Sequence, residues 1–215
     1  MRLVRNIATI IIITIISIIG IPTVFAFEND IGYSKIHPAS PLYFLKAIRE
    51  NIEMALAQTQ HVKTLREIEF ATRRLREVNS LTATNHQDLI VSNLERFMAN
   101  LNQLIGQAML TDENTAISLT VASKAQMSFL QDIYEQISLP QAKRAVRSTI
   151  NRLWQWQEKL AEKLNLVSQP KLAGEVLESK MSACQFLLKE SSSSSISQTE
   201  KIVLEGRAKK CLRTN

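Results

Sequence analysis

From residue 40 onward, apolar residues return every three or four positions, the spacing of a helix face and not of a strand. Leu42, Leu45, Ile48, Ile52 and Ala55 make the first stripe. Leu65, Ile68, Ala71, Leu75 and Val78 make the second, in a helix expected over about residues 61–81. The third is the most regular. Ile90, Leu94, Phe97, Leu101, Leu104 and Ala108 alternate four and three apart, a heptad-like seam expected over about residues 86–110. A fourth helix is expected over about 112–137. The fifth, over about 139–165, turns Val146, Ile150, Leu153, Leu160 and Leu164 inward. A sixth over about 169–189 and a seventh over about 198–213 complete the series.

Cap residues punctuate these runs. Ser40-Pro41, Ser138-Leu139-Pro140 and Ser168-Gln169-Pro170 each place a Ser before a Pro, which tolerates the first helical turn. Thr111-Asp112-Glu113 suits a helix N-terminus, and Ser197-Gln198-Thr199-Glu200 matches a capping box. Nothing at Gln58–Gln60 forces a break between the first two helices. Glu69, Arg73 and Glu77 stand four apart, as ion pairs on a solvated face would. No segment alternates as a strand does. The expectation is an all-α, antiparallel bundle of about six to seven helices.

Composition sharpens this in one respect. Only 5 Gly and 5 Pro occur in 215 residues, which suits helices and leaves little from which to build a Gly-rich phosphate loop.

The first residues follow another rule. Arg2 and Arg5 precede a run, residues 7–27, that carries no charge, and Val24-Phe25-Ala26 offers small residues at the positions a signal peptidase reads. Residues 1–26 are read as a secretory signal peptide cut between Ala26 and Phe27. The rival is an uncleaved anchor, because the run is long enough to span a bilayer. Positive charge ahead of it keeps the N-terminus inside in either case, so residues 27–215 are expected to be extracytoplasmic. Residues 27–39 read as a polar linker.

In an oxidising compartment the two cysteines, Cys184 and Cys211, admit one pairing. The Ser191–Ser195 run between the sixth and seventh helices makes a loop, and an antiparallel hairpin would bring the two thiols together. Metal binding or a reactive thiol are the alternatives; neither a CxxC spacing nor a nearby histidine supports them.

Without Arg2 and Arg5 the chain holds 24 basic and 20 acidic residues. This mild excess argues against sequence-specific nucleic-acid binding and leaves an anionic surface as a candidate partner. His37, His61 and His86 are scattered, and His37 reads as a solvated linker residue. No metalloprotease, hydrolase, P-loop or dinucleotide motif occurs, so neither catalytic residues nor a cofactor are expected. One place departs from good helix design. Lys143, Arg144 and Arg147 crowd the start of the fifth helix, where the dipole disfavours cations, and Arg152 and Trp154-x-Trp156 follow. If exposed, Lys143, Arg144, Arg147, Arg152 and Trp156 would suit a membrane interface, a glycan or an anionic polymer. If Trp154 continues the face of Ile150, both indoles belong to the core instead.

Pro38-Ala39-Ser40-Pro41-Leu42-Tyr43-Phe44-Leu45-Lys46, followed by Glu50, resembles the opening of an uncharacterised bacterial family, domain of unknown function 5667. Ala71-Thr72-Arg73-Arg74-Leu75-Arg76-Glu77 is similar to that family's later Ala-x-x-Arg-Leu-x-Glu segment. The likeness runs over about residues 37–137 and divides a helical domain, 40–137, from a C-terminal region, 138–215. It implies an exported or membrane-associated helical protein and carries over no site residue. Whether the two regions share one core is left open. The function expected is a non-enzymatic helical bundle of the cell envelope, structural or acting through an envelope protein or self-association. The alternatives are a cationic module for a membrane surface, wall polymer or DNA, and a periplasmic chaperone or stress sensor.

Overall fold

The computed structural model describes residues 31–107, 113–163, 170–194 and 196–213. The expected signal peptide with its cut at Ala26 and Phe27, the caps at Thr111-Asp112 and Ser168-Gln169, and Ala108 and Leu164 lie outside these residues. Among the described residues there are seven α-helices and no strand: α1 Phe44–Ala55, α2 Gln60–Ala83, α3 Ile90–Gln107, α4 Glu113–Gln136, α5 Pro140–Lys163, α6 Pro170–Ser191 and α7 Gln198–Arg213.

The local grammar explains most boundaries. The Ser40 side chain accepts from the Leu42 N–H at 3.2 Å, and Pro41 opens a 3₁₀ turn that runs into α1. A break does separate α1 from α2: Thr59 is extended, at φ −112° and ψ 155°, and its hydroxyl accepts from the Val62 N–H. Helix α2 ends in a Schellman turn. His86 N–H reaches the Leu81 carbonyl, and Asn85 N–H the Thr82 carbonyl, with Asn85 at φ 59°, a left-handed conformation Asn tolerates. At the start of α5 the expected Ser138 cap is replaced by a distant side chain. Gln87 Oε1 accepts from the Ser138 and Leu139 N–H groups at 3.0 and 2.8 Å. The capping box of α7 is half formed. Glu200 N–H donates to Ser197 Oγ, while the Glu200 carboxylate turns to Arg147.

The expected stripes of α2, α3 and α5 fill the interior. Ile68, Ala71, Leu75 and Val78, the α3 seam from Ile90 to Leu104, and Val146, Ile150, Leu153 and Leu160 are all buried. One apolar core runs from Ile31 and Ile68 through these residues to Cys184 and Cys211. It therefore crosses residue 138, and the two regions share it. Helix α5 lies at the centre, against α3, α4 and α6, and α7 pairs with α6. Cys184 and Cys211 are bonded across that pair, with Cα atoms 5.6 Å apart and neither side chain exposed.

Helix α1 departs from the pattern. Its apolar stripe faces away from the bundle: Leu45, Ile48 and Ile52 are 43%, 50% and 48% exposed. The residue of α1 that is buried is Lys46.

Candidate functional site

The inverted helix α1 is held by charge. Lys46 and Glu50 stand one helical turn apart on its inner face, with Tyr43 just before it. They meet Arg74 and Glu77 of α2. The Glu77 carboxylate, fully buried, accepts from Tyr43 at 2.7 Å, from Arg74 at 2.7 Å and from the Lys46 ammonium. Arg74 also donates to Tyr43 at 2.9 Å and pairs with Glu50, and Arg96 of α3 reaches the Tyr43 hydroxyl at 3.1 Å. One turn further on, Arg73 binds Glu53 at 2.9 Å and Glu69 at 3.2 Å.

This corrects the solvated face expected for Glu69, Arg73 and Glu77. Glu69 and Arg73 do pair, but Glu77 points inward, where it meets Arg74 and also Lys46 and Tyr43, which lie 31 and 34 residues away. The Pro-x-Ser-Pro-Leu-Tyr opening and the Ala-x-x-Arg-Leu-x-Glu segment are thus two halves of one buried cluster. A family model described as Domain of unknown function (DUF5667) matches residues 35–205. The chain belongs to this family. The match continues through α5 and α6 into α7, well past the residue 137 at which the likeness was expected to end. No curated protein and no solved structure matches the chain.

Burial shapes the ionisation of the DUF5667 cluster. It pushes the Tyr43 hydroxyl from the ordinary 10.0 up to about 12, helped by the hydrogen bond to Glu77. It also holds the Lys46 ammonium below its usual range, against the pull of Glu77. Burial alone would lower Arg74 too, but Glu77 and Glu50 outweigh it and raise Arg74.

A second tyrosine-centred cluster of ion pairs joins α4, α5, α6 and α7. The Tyr134 hydroxyl of α4 donates to Glu190 of α6 and accepts from Arg147 of α5 at 2.6 Å. Arg147 in turn binds Glu200 of α7. Tyr134 likewise rises to about 12, through burial and then the Glu190 hydrogen bond. A raised tyrosine pKa means that the folded state favours the neutral phenol. The stability that this supplies is intact below pH 10 and is lost as pH rises through about 12. An alkaline titration followed by phenolate absorbance is expected to show two late tyrosines, with helix loss accompanying them. Tyr43→Phe removes one of the two.

The cationic surface expected on α5 contracts. Arg147 is buried, and Trp156 is buried with its indole N–H donating to the Leu101 carbonyl at 2.6 Å, so neither belongs to a surface. Trp154 is buried as well, and the core reading of both indoles is the correct one. Arg152 pairs with Glu95 at 2.6 Å, and Lys143 lies over the Tyr134 ring at 4.9 Å. Arg144 is exposed, 3.7 Å from Glu200. Cations at the start of α5 are tolerated because Glu190 and Glu200, from α6 and α7, offset the dipole there. Periodicity within α5 carries no sign of those partners.

His37 is also better connected than expected. Its Nε2 lies 2.7 Å from Thr84 Oγ1, and its ring meets that of His86 edge to face at 5.3 Å. It fastens the former linker to the end of α2. That segment is tied further back as well. Arg76 donates to the Ile31 carbonyl and Asn79 to the Gly32 carbonyl, both within 2.9 Å, and Ser34 N–H donates to Ser80 Oγ.

Between this strap, α1 and α2 lies a cleft of about 680 Å³. Its apolar wall is Leu45, Ile48 and Ile52 of α1. Its polar lining holds six cations, Lys35, Lys46, Arg49, Arg66, Arg73 and Arg76, against the two carboxylates of Glu53 and Glu69. The exposed stripe, the cleft and the surplus of positive charge make this face the candidate site. The sequence carried one signal of it: Lys46 and Glu50 face one way on α1 while the apolar stripe faces the other. Among the described residues, no helix is long and apolar enough to cross a membrane, and no three His, Cys, Asp or Glu side chains are grouped to hold a metal ion.

Proposed function

We propose that this DUF5667 chain is an exported, non-catalytic bundle of the bacterial cell envelope that works through α1 as an interaction surface. The observation that carries the reading is the orientation of α1. A helix that forms ion pairs with its own bundle and turns Leu45, Ile48, Ile52 and Leu56 to solvent leaves an apolar face for something else to cover. The buried disulfide is compatible with an oxidising, extracytoplasmic compartment. Export itself is supported by the Arg2/Arg5 start and the charge-free run at residues 7–27. The clusters at Glu77 and Arg147 tie helices together through buried ion pairs, which fits a scaffold.

Carbene footprinting tests this reading. The full chain is labelled in the envelope fraction of the cells that express it and, separately, purified in buffer. Residues 44–56 are expected to label several-fold less in the envelope, while Ile202 and Val203, exposed on α7, label equally in both. Equal labelling of α1 in the two samples would defeat the proposal.

A further inference from the structure

We infer that the partner of α1 is the surface of an anionic lipid bilayer, an inference that rests on reading α1 as the interaction surface. Three observations converge on it. The first is the chemistry of the face. Leu45, Ile48, Ile52 and Leu56 recur at helical spacing along its length, and Phe44 adds an exposed ring at its start. A short helix with a continuous apolar stripe is the form that lies in the boundary between headgroups and acyl chains.

The second is charge. Lys35, Arg49, Arg66, Arg73 and Arg76 stand around the stripe with Glu53 and Glu69 beside them. Arg49 and Arg73 share Glu53, and Arg73 and Arg76 share Glu69, so the cations there still outnumber the carboxylates that pair with them. Apolar surface beside surplus cations fits an anionic amphiphile, with phosphate at the rim and acyl chain on the stripe. The same arrangement disfavours a second copy of this chain, because a two-fold pairing of α1 faces would set like charges together.

The third is where the remaining chain leaves. The charge-free run ends at Phe27, four residues before Ile31, whose side chain is buried and whose carbonyl is held by Arg76. Four residues span at most about 14 Å. A retained run therefore puts the bilayer within that reach of Ile31, whose carbonyl is held by Arg76 of the cleft lining. A run cut after Ala26 leaves the stripe and its cations as the attachment.

The native tryptophans make a direct test available, since Trp154 and Trp156 are buried and give a constant background. Ile48→Trp and Ile202→Trp, both at exposed positions, are made in the full chain. Each is mixed with vesicles of brominated phosphatidylglycerol or brominated phosphatidylcholine. Emission from position 48 is expected to shift to the blue and be quenched by phosphatidylglycerol, with binding at least about tenfold weaker to phosphatidylcholine, given the cations at the surface. Position 202 is expected to respond to neither, whether or not the N-terminal run anchors the chain. A response at position 48 no greater than at 202, or equal for both lipids, overturns the inference. So does a blue shift without vesicles in a protein of doubled mass, which would assign the face to a second copy. Protection of α1 in the envelope without quenching by either lipid removes the bilayer and keeps the interaction surface. Loss of both removes both.

Discussion

Glu77→Ala is expected to undock α1, costing about 3–5 kcal/mol in the stability of its attachment. The carboxylate is fully buried and is the shared acceptor of Lys46, Arg74 and Tyr43. Removing it leaves Lys46 buried without a counter-charge, and a buried unpaired ammonium costs far more than the pair itself contributes. Helix α1 has no apolar burial to fall back on, so the damage concentrates there. Amide hydrogen exchange is the appropriate readout. Exchange in α1 is expected to rise by about two to four powers of ten, the same free energy converted, while α5 stays protected. Lys46→Met combined with Glu77→Leu is expected to cost less than the two single changes added together, because Arg74 keeps Glu50 and the unpaired charge is gone. A Glu77→Ala protein whose α1 exchanges as slowly as the wild type would show that the ion pairs do not hold this helix.

Removal of the disulfide gives the second large effect. Cys184 and Cys211 close a loop with a sequence separation of 27 residues, and the chain-entropy relation puts the loss at about 3–4 kcal/mol. Cys184→Ala/Cys211→Ala is therefore expected to lower Tm by on the order of 10 °C. Both sulfurs also belong to the main core, so alanine adds a small cavity term that reduction of the wild-type protein does not. Comparing the reduced protein with the double variant separates the two contributions. Helix α7 is expected to loosen first. Apart from the disulfide it is held by Leu204 and Ala208 against Leu187 and by Glu200 against Arg147. A double variant that melts within about 2 °C of the wild type would mean that the hairpin is held without its bond.

The α5 surface is set by partners on other helices. Lys143, Arg144, Arg147, Arg152 and Trp156 look like one basic-aromatic face, yet the fold divides them. Arg147 enters a buried cluster with Tyr134, Glu190 and Glu200, contributed by three other helices. Trp156 finds its acceptor in a carbonyl 55 residues earlier. A positive residue near a helix N-terminus reads as unfavourable within that helix, and only the carboxylates of α6 and α7 make it favourable. An alanine series on this surface that includes Arg147 therefore measures folding as much as binding. Arg144 and Lys143 are the residues to vary there.

Local interactions settle within a few residues, and the sequence by itself determined whatever depends on them. Helix existence, the breaks at Ser40-Pro41, Pro140 and Pro170, the α3 seam and the all-α class follow from periodicity and capping, and the Cys184–Cys211 pairing from there being only two cysteines. Tertiary structure decided which way each amphipathic face turned. Periodicity shows that α1 has an apolar side and a charged side, but not which one meets the bundle. That choice was made by Arg74 and Glu77, on another helix, which give Lys46, Glu50 and Tyr43 a set of partners that solvent would otherwise supply. Burying those charges is favourable only because each is paired, and the pairing exists only once two segments distant in sequence have come together.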